Sequence, residues 1–146
     1  MFISFVFTTG PSSCSRENSI DANNHIYLNE TSAQLSSPEF PLPYDLATQC
    51  TWVVEARARH RLELTINVVD LPSTCNTDYI KVCQGRYSCN QGTYTACGKG
   101  HWEPLTEHVY SIGRHLWVHF RISGELRSRF TGFKATYRQV PEGKLE

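Results

Sequence analysis

The stretch Arg61–Val68 reads RLELTINV and decides the fold class of this 146-residue chain. Its apolar and polar side chains alternate strictly, which is the two-residue period of a strand with one buried face. The same alternation recurs at Tyr79–Val82, Leu116–Phe120 and Phe133–Tyr137. Because no window of about twelve residues keeps the 3.6-residue period of a helix, the sequence predicts an all-β chain.

The alternation also assigns the inward face of each predicted strand. These inward residues are Leu62, Leu64, Ile66, Val68, Ile80, Val82, Leu116, Val118, Phe120, Phe133, Ala135 and Tyr137. Thr51–Val54 is a further short strand, and we expect its Trp52 to be buried beside the strands that hold Leu64 and Phe120. Several short strands separated by proline and glycine turn signals predict an antiparallel two-sheet sandwich or a barrel.

The charge balance and hydropathy exclude two classes of protein. The chain carries 14 basic and 14 acidic residues and has no net charge at pH 7. Dedicated nucleic-acid-binding domains carry a basic excess, so we expect no nucleic-acid partner. The sequence contains no apolar run of about 18 residues, the length that a membrane-spanning helix requires, so we expect no membrane span within it.

Six cysteines indicate the compartment in which the protein folds. They are Cys14, Cys50, Cys75, Cys83, Cys89 and Cys97. None has the CxxC spacing of a zinc site, and His115 and His119, four residues apart, lie on a predicted strand. A disulfide framework formed in an oxidising compartment is the better interpretation. Cys83 and Cys89 are close enough to close a small hairpin loop, whereas the residues themselves do not choose among the pairings of the other four.

The ends of the chain read as processing or linker segments around one domain. Residues 1–13 are interpreted as a short or truncated signal peptide, with a frayed tail as the alternative. Residues 14–140 form the predicted domain, and residues 141–146 form a polar linker or tail. Asn29-Glu30-Thr31 is an N-glycosylation sequon and agrees with secretion. We therefore expect an extracellular protein, either secreted or the ectodomain of a membrane protein.

Four sequence blocks occur in an order that identifies a family. They are Ser37–Tyr44 with the Cys50–Trp52 that follows it, Cys75–Val82, Cys97–Gly98 and Thr131–Tyr137. Together they resemble the CUB domain over about Cys14–Arg138. Within that family, Leu116–Phe120 and Ser123–Leu126 are most similar to the domains of neuropilin-and-tolloid-like receptor auxiliary proteins. The resemblance implies a compact two-sheet, jelly-roll-like sandwich.

The resemblance also implies a disulfide pattern. By position it pairs Cys14 with Cys50 and Cys75 with Cys97, which leaves Cys83–Cys89 as an additional bridge. The gap between Cys14 and Cys50 is longer than is usual in the family. Either the segment Asn18–Leu28 is an insertion, or the resemblance does not carry over to this first bridge.

Many CUB domains bind calcium through a Glu, an Asp eight residues later and a third carboxylate in a distal loop. A hard cation requires several oxygen ligands in one small volume. These positions fall on Asp70, Asp78 and Ser123, so one carboxylate is shorter and one is lost. The resemblance therefore gives Asp70 and Asp78 as the only candidate metal ligands, and we expect no cofactor and little or no calcium binding.

Two arginine clusters are candidate binding surfaces. The first is Arg57, Arg59 and Arg61, which also includes His60, and the second is Arg121, Arg127 and Arg129. Guanidinium groups suit an acidic protein face or a sulfated glycan, and the alternative is a solvated surface. We name Arg57, Arg59 and Arg61 as the candidate partner-binding rim.

No catalytic residue is expected. Serine, histidine and aspartate are present, but no Gly-x-Ser-x-Gly or comparable setting holds a nucleophile beside a base. The resemblance implies an extracellular, non-catalytic protein-recognition module of a larger secreted or receptor protein. The alternatives are a stand-alone secreted CUB protein that binds heparin-like glycans and the non-catalytic arm of an extracellular protease.

Overall fold

The computed structural model describes residues 25–37, 40, 48–72, 75–86, 89, 91–98, 107–122 and 130–143. Within these residues it contains nine strands: β1 (Ile26–Leu28), β2 (Ser32–Ser36), β3 (Thr48–Glu55), β4 (His60–Asp70), β5 (Tyr79–Gln84), β6 (Gln91–Ala96), β7 (Glu107–Tyr110), β8 (His115–Ile122) and β9 (Gly132–Pro141). No described residue belongs to a helix that is long and apolar enough to cross a membrane.

The strands form two sheets that enclose one core. The five-stranded sheet has the order β1-β3-β8-β5-β6 and the four-stranded sheet the order β2-β9-β4-β7. Their pairings are antiparallel, except that β1 runs parallel to β3. The all-β, antiparallel two-sheet sandwich predicted from the alternation is confirmed.

Large apolar side chains from both sheets meet in the core. Trp52 on β3 has no exposed surface and lies edge-on to Phe133 on β9, with ring centroids 5.6 Å apart. The rings of Phe120 on β8 and Phe133 have centroids 5.0 Å apart. Leu64 belongs to the same buried cluster. The predicted burial of Trp52 is therefore confirmed, and its contact with Phe133 joins the two sheets.

The predicted inward face of β4 is wrong at one position. The register with β9 shifts between Ile66 and Val68, which leaves Asn67 as an extra residue in the strand. Such a bulge reverses the alternation beyond it. Val68 is consequently half-buried, and Val69 and Leu71 take the inward positions instead.

The directions of the strands define two ends of the sandwich. At one end, which we call the Asp70 end, β4 finishes and β5 and β9 begin. The other end, which we call the Ile112 end, holds the β1–β2, β3–β4 and β7–β8 connections. Each of these connections crosses from one sheet to the other. Asp70 and Asp78 therefore lie at the opposite end of the domain from the predicted arginine rim.

Two disulfide bonds join described residues. Cys75 is bonded to Cys97, with Cα atoms 5.4 Å apart, and Cys83 to Cys89, with Cα atoms 5.1 Å apart. These are the pairs that the family resemblance implies. Cys50 is also disulfide-bonded, while Cys14, its implied partner, lies outside the described residues.

Candidate functional site

Asp70 and Asp78 are both buried at the Asp70 end, with 4% and 3% of their surfaces exposed. Oδ2 of Asp70 accepts hydrogen bonds from the backbone N–H of Thr131 at 3.1 Å and from its hydroxyl at 2.7 Å. Oδ1 of Asp78 accepts a hydrogen bond from the Thr77 hydroxyl at 2.6 Å. Asp70 therefore holds the segment that leads into β9, and Asp78 holds the turn before β5.

The described residues do not fit a calcium site. Calcium takes six to eight oxygen ligands, several of them carboxylates. No group of three His, Cys, Asp or Glu side chains that could hold a metal occurs among the described residues, and Ser123 lies outside them. One oxygen of Asp70 already accepts two hydrogen bonds from Thr131. We therefore assign Asp70 and Asp78 structural roles and derive no function through a metal.

Millimolar calcium is expected to leave the melting temperature of the domain unchanged, because its two buried carboxylates are held by threonine donors. A ligand at about a hundred times its dissociation constant adds about 2.7 kcal/mol to the free energy of unfolding, which differential scanning fluorimetry detects easily. Melts in calcium and in EDTA should coincide. A clear calcium-dependent stabilisation that disappears in Asp78→Ala would contradict this assignment.

The β3–β4 connection at the Ile112 end presents the predicted arginine rim. Ala56 continues the pairing of β3 with β8 by one residue, since its N–H donates to the carbonyl of Arg114 at 2.7 Å and its carbonyl accepts from Arg114 Nε at 2.8 Å. The N–H of Arg57 donates to Oε1 of Gln139 at 2.9 Å, and Arg59 has a left-handed backbone with φ of 64°. These bonds hold the start of the loop, and the N–H of Glu142 holds its other end by donating to the carbonyl of Arg59 at 3.0 Å.

Arg57 and Arg59 keep their charges available to solvent. Both are exposed, and neither forms an ion pair with another described residue. His60 Nδ1 donates to the carbonyl of Ala58 at 3.0 Å, so its Nε2 is the acceptor for Arg57 Nε at 3.3 Å. Arg61, by contrast, is half-buried. The structure therefore offers two exposed guanidinium groups rather than the three that the sequence suggested.

The β7–β8 turn carries a feature that the sequence analysis missed. Ile112 is 68% exposed and Tyr110 is 42% exposed, and they are the only large apolar side chains exposed among the described residues. The turn is nevertheless firmly held. The N–H of Ser111 donates to the carbonyl of Leu62 at 2.9 Å, and its hydroxyl accepts from the N–H of Leu62 at 2.8 Å and donates to the carbonyl of Gly113 at 2.6 Å.

Gln84, at the end of β5, fixes the same turn from the other sheet. Its Nε2 donates to the carbonyl of Tyr110 at 3.2 Å, and its Oε1 accepts from the N–H of Ile112 at 2.8 Å. The amide side chain thus pairs with the backbone on both sides of Ser111, as a neighbouring strand would. The only sequence signal was an isoleucine between serine and glycine, a pattern that does not distinguish an exposed side chain from a buried one.

A polar cluster lies on the outer face of the four-stranded sheet. The carboxylate of Glu63 accepts from Arg138 Nε at 2.6 Å and from the Tyr110 hydroxyl at 3.1 Å, and His108 Nδ1 lies 3.3 Å away. Burial raises the pKa of Glu63, but the hydrogen bonds from Arg138 and Tyr110 and the Arg138 charge outweigh burial and hold the pKa below its usual value. The cluster therefore fastens the edge strand β7 to β4 and β9.

Aromatic rings cover the outer face of the five-stranded sheet. The ring of His119 lies parallel to that of Trp117, with centroids 5.3 Å apart, and 6.0 Å from the ring of Tyr79. Burial, followed by the charges of Lys81 and Arg121, lowers the pKa of His119 to about 4. Because the rings contact one another, we interpret this row as a stabilising ladder of the sheet.

The sequon lies in the β1–β2 turn, where Asn29, Glu30 and Thr31 are all exposed. Gln139 Nε2 donates to the carbonyl of Asn29 at 3.2 Å, while its Oε1 accepts from the N–H of Arg57. The sequon therefore flanks the arginine rim. The strand order β2-β9-β4-β7 places it on the opposite side of the rim from Ile112.

Comparison with known proteins finds one family. The family model described as the CUB domain matches residues 23–137. Cubilin of Sus scrofa is 30% identical over 114 residues, which cover 78% of this chain and 3% of cubilin. Neuropilin and tolloid-like protein 2 of Homo sapiens is 29% identical over 110 residues, which cover 73% of this chain and 20% of that protein. The chain thus spans a small part of the length of these relatives.

Solved structures give the same architecture. The CUB1-EGF-CUB2 domains of rat MASP-1 match with a TM-score of 0.68 at 32% sequence identity, covering 80% of this chain and 42% of that chain. A crystal structure of the MASP-1 CUB2 domain bound to Ca2+ matches with a TM-score of 0.58 at 20% identity, covering 77% and 96% of the two chains. The second likeness supports the fold alone, and the calcium it holds is a property of that domain.

Proposed function

Because the chain belongs to the CUB domain family, we propose that it is a non-catalytic extracellular module that recognises a protein partner through its Ile112 end. The observation that carries the proposal is the pair of exposed guanidinium groups of Arg57 and Arg59, which no described carboxylate neutralises. Unpaired arginines on a fixed loop suit an acidic protein face.

The geometry of two described histidines, His108 and His119, supports a non-catalytic role. A nucleophile–histidine–carboxylate triad requires the nucleophile and the carboxylate at opposite ring nitrogens. Thr65 Oγ1 and Glu63 Oε2 instead approach the same Nδ1 of His108, at 3.1 and 3.3 Å. His119 contacts the Thr51 hydroxyl at 2.8 Å, and no acidic group contributes to its pKa. Neither arrangement activates a hydroxyl.

The disulfide bonds and the exposed sequon support the extracellular placement. Disulfides persist in oxidising compartments, and glycosylation requires an accessible asparagine. A module of this kind suits a larger secreted protein, a receptor ectodomain or the non-catalytic arm of an extracellular protease.

Asn29→Gln is expected to remove one glycan after secretion from animal cells, because the β1–β2 turn presents Asn29 to solvent. The measurement is electrophoretic mobility with and without peptide N-glycosidase. Wild-type protein should shift down on treatment to the position of the variant, with Asn67→Gln as a control that keeps the shift. Identical mobility of wild type and Asn29→Gln before treatment would show that the site is unused.

The rim is tested with the tetramerised domain as a probe against a displayed library of secreted and cell-surface ectodomains. We expect binders that tolerate Lys134→Ala, which removes one positive charge near the Asp70 end, and weaken by roughly tenfold or more in Arg57→Ala/Arg59→Ala. Their affinity should also fall with rising salt. If no ectodomain requires the rim arginines for binding, but a heparin hexasaccharide does, the glycan-binding alternative replaces this function.

A further inference from the structure

Resting on the recognition function above, we propose that Ile112 anchors the docking site and that the partner is a protein presenting an apolar pocket bordered by carboxylates. Single exposed apolar side chains are common on protein surfaces. Ile112 differs because both flanks of its turn are hydrogen-bonded to other strands, through Ser111 to β4 and through Gln84 to β5. A side chain held in this way loses little backbone freedom on binding.

The strand register places two arginines of the rim opposite the turn that carries this isoleucine. Continuing the pairing of β4 with β7 beyond Glu63 and Tyr110 places Arg61 opposite Ile112. Continuing the pairing of β3 with β8 beyond Ala56 and Arg114 places Arg57 opposite the glycine that follows Ile112. The register thus places Ile112 at the same end of the sandwich as the cationic rim, beside Arg61 and close in register to Arg57.

The charges of this surface indicate the chemistry of the partner. Glu55 is already 3.2 Å from Arg114 and 3.7 Å from His115. Glu142 donates its backbone N–H to the carbonyl of Arg59 at 3.0 Å, but its carboxylate forms no ion pair with a described residue. In the part of the chain that the structure describes, no carboxylate forms an ion pair with Arg57 or Arg59. A partner that buries Ile112 must therefore bring its own acidic groups to the border of the pocket.

The exposed isoleucine favours a protein over a sulfated glycan. A sulfated glycan would satisfy the guanidinium groups of Arg57 and Arg59 but offers no apolar pocket for Ile112, which is 68% exposed. Protein interfaces characteristically combine a central apolar anchor with arginines and a polar border. Ile112 with its arginine rim has that composition.

Gln84 acts as a positioning residue. It occupies the carbonyl of Tyr110 and the N–H of Ile112, so Gln84→Ala should free the turn while leaving Ile112 and the rim arginines in place. In the free domain, hydrogen–deuterium exchange at the Ile112 amide should then become faster, with exchange in the core of β8 unchanged. Unchanged exchange at the Ile112 amide would show that Gln84 does not pre-organise the turn.

The anchor is tested on all binders recovered from the ectodomain library. Ile112→Ala should weaken them by roughly tenfold or more while leaving the melting temperature unchanged, since the side chain lies in solvent. Gln84→Ala should weaken them less, and Gln34→Ala, an exposed site on β2, should have no effect.

The possible outcomes separate the two proposals. Binders that lose affinity in Ile112→Ala and in the rim variant support both. Binders that depend on the rim but not on Ile112 overturn the anchor and leave the recognition function standing. Binders that depend on Ile112 alone support the anchor and overturn the role of the rim. The absence of any binder that depends on either overturns both.

Discussion

Gly132→Ala is expected to remove about 3–5 kcal/mol from the free energy of unfolding, a large part of what a domain of this size possesses. Gly132 begins β9 with φ of 101°, a conformation that disfavours any side chain. A Cβ at this position would lie 1.8 Å from Oγ and 2.7 Å from Cβ of Ser37. Ser37 is fully buried, and its hydroxyl accepts the N–H of Phe133 at 3.1 Å, so it has no room to move aside.

Two other glycines provide matched controls. Gly143 also has a positive φ, of 86°, but a Cβ there meets no atom within 4 Å, and the same is true at Gly113. Gly143→Ala should therefore cost only the backbone strain, about 1–2 kcal/mol, and Gly113→Ala almost nothing. Urea unfolding of the three variants measures the differences. Equal stability of Gly132→Ala and Gly143→Ala would show that Ser37 does not approach Gly132 as described.

Trp52→Ala is expected to cost about 3–5 kcal/mol of unfolding free energy. The side chain is fully buried, and its ring meets Phe133 of the opposite sheet edge-on. Removing it leaves a large cavity between the sheets, which their paired strands cannot close.

Trp117→Ala is the control for size and residue type. Trp117 pairs across strands with Val53, directly beside Trp52, but it lies on the outer face and is half-buried. Its removal should cost clearly less in the same urea titration, because solvent replaces part of its surroundings. A larger loss for Trp117→Ala than for Trp52→Ala would contradict the assignment of the core to the space between the sheets.

The period-two alternation predicted the inward faces of β5, β8 and β9, because each of these faces follows from the residues of one strand. It failed on β4 after Ile66, where Asn67 is an extra residue against β9. That bulge is a property of the pairing of β4 with β9. The residue pattern within Arg61–Val68 does not indicate the bulge.

The candidate site also has one part that the sequence predicted and another that only the fold shows. The run of arginines at Arg57–Arg61 is a local sequence signal, and the structure exposes two of them. The anchor is not local: Ile112 depends on Gln84, 28 residues earlier in the chain, and on Leu62, 49 residues from Ser111. The sequence indicated Asp70 and Asp78 as candidate metal ligands. Only the fold shows that threonines donate hydrogen bonds to both carboxylates.

Recognition through the Ile112 end, independent of calcium, is tested most directly by a hydrogen–deuterium exchange footprint. The domain is compared free and bound to an ectodomain recovered with the tetramer probe, in EDTA. We predict protection of the backbone amides in residues 56–61 and 111–114, and none in residues 75–79. Protection confined to residues 70–79, or binding that requires calcium, would contradict the account.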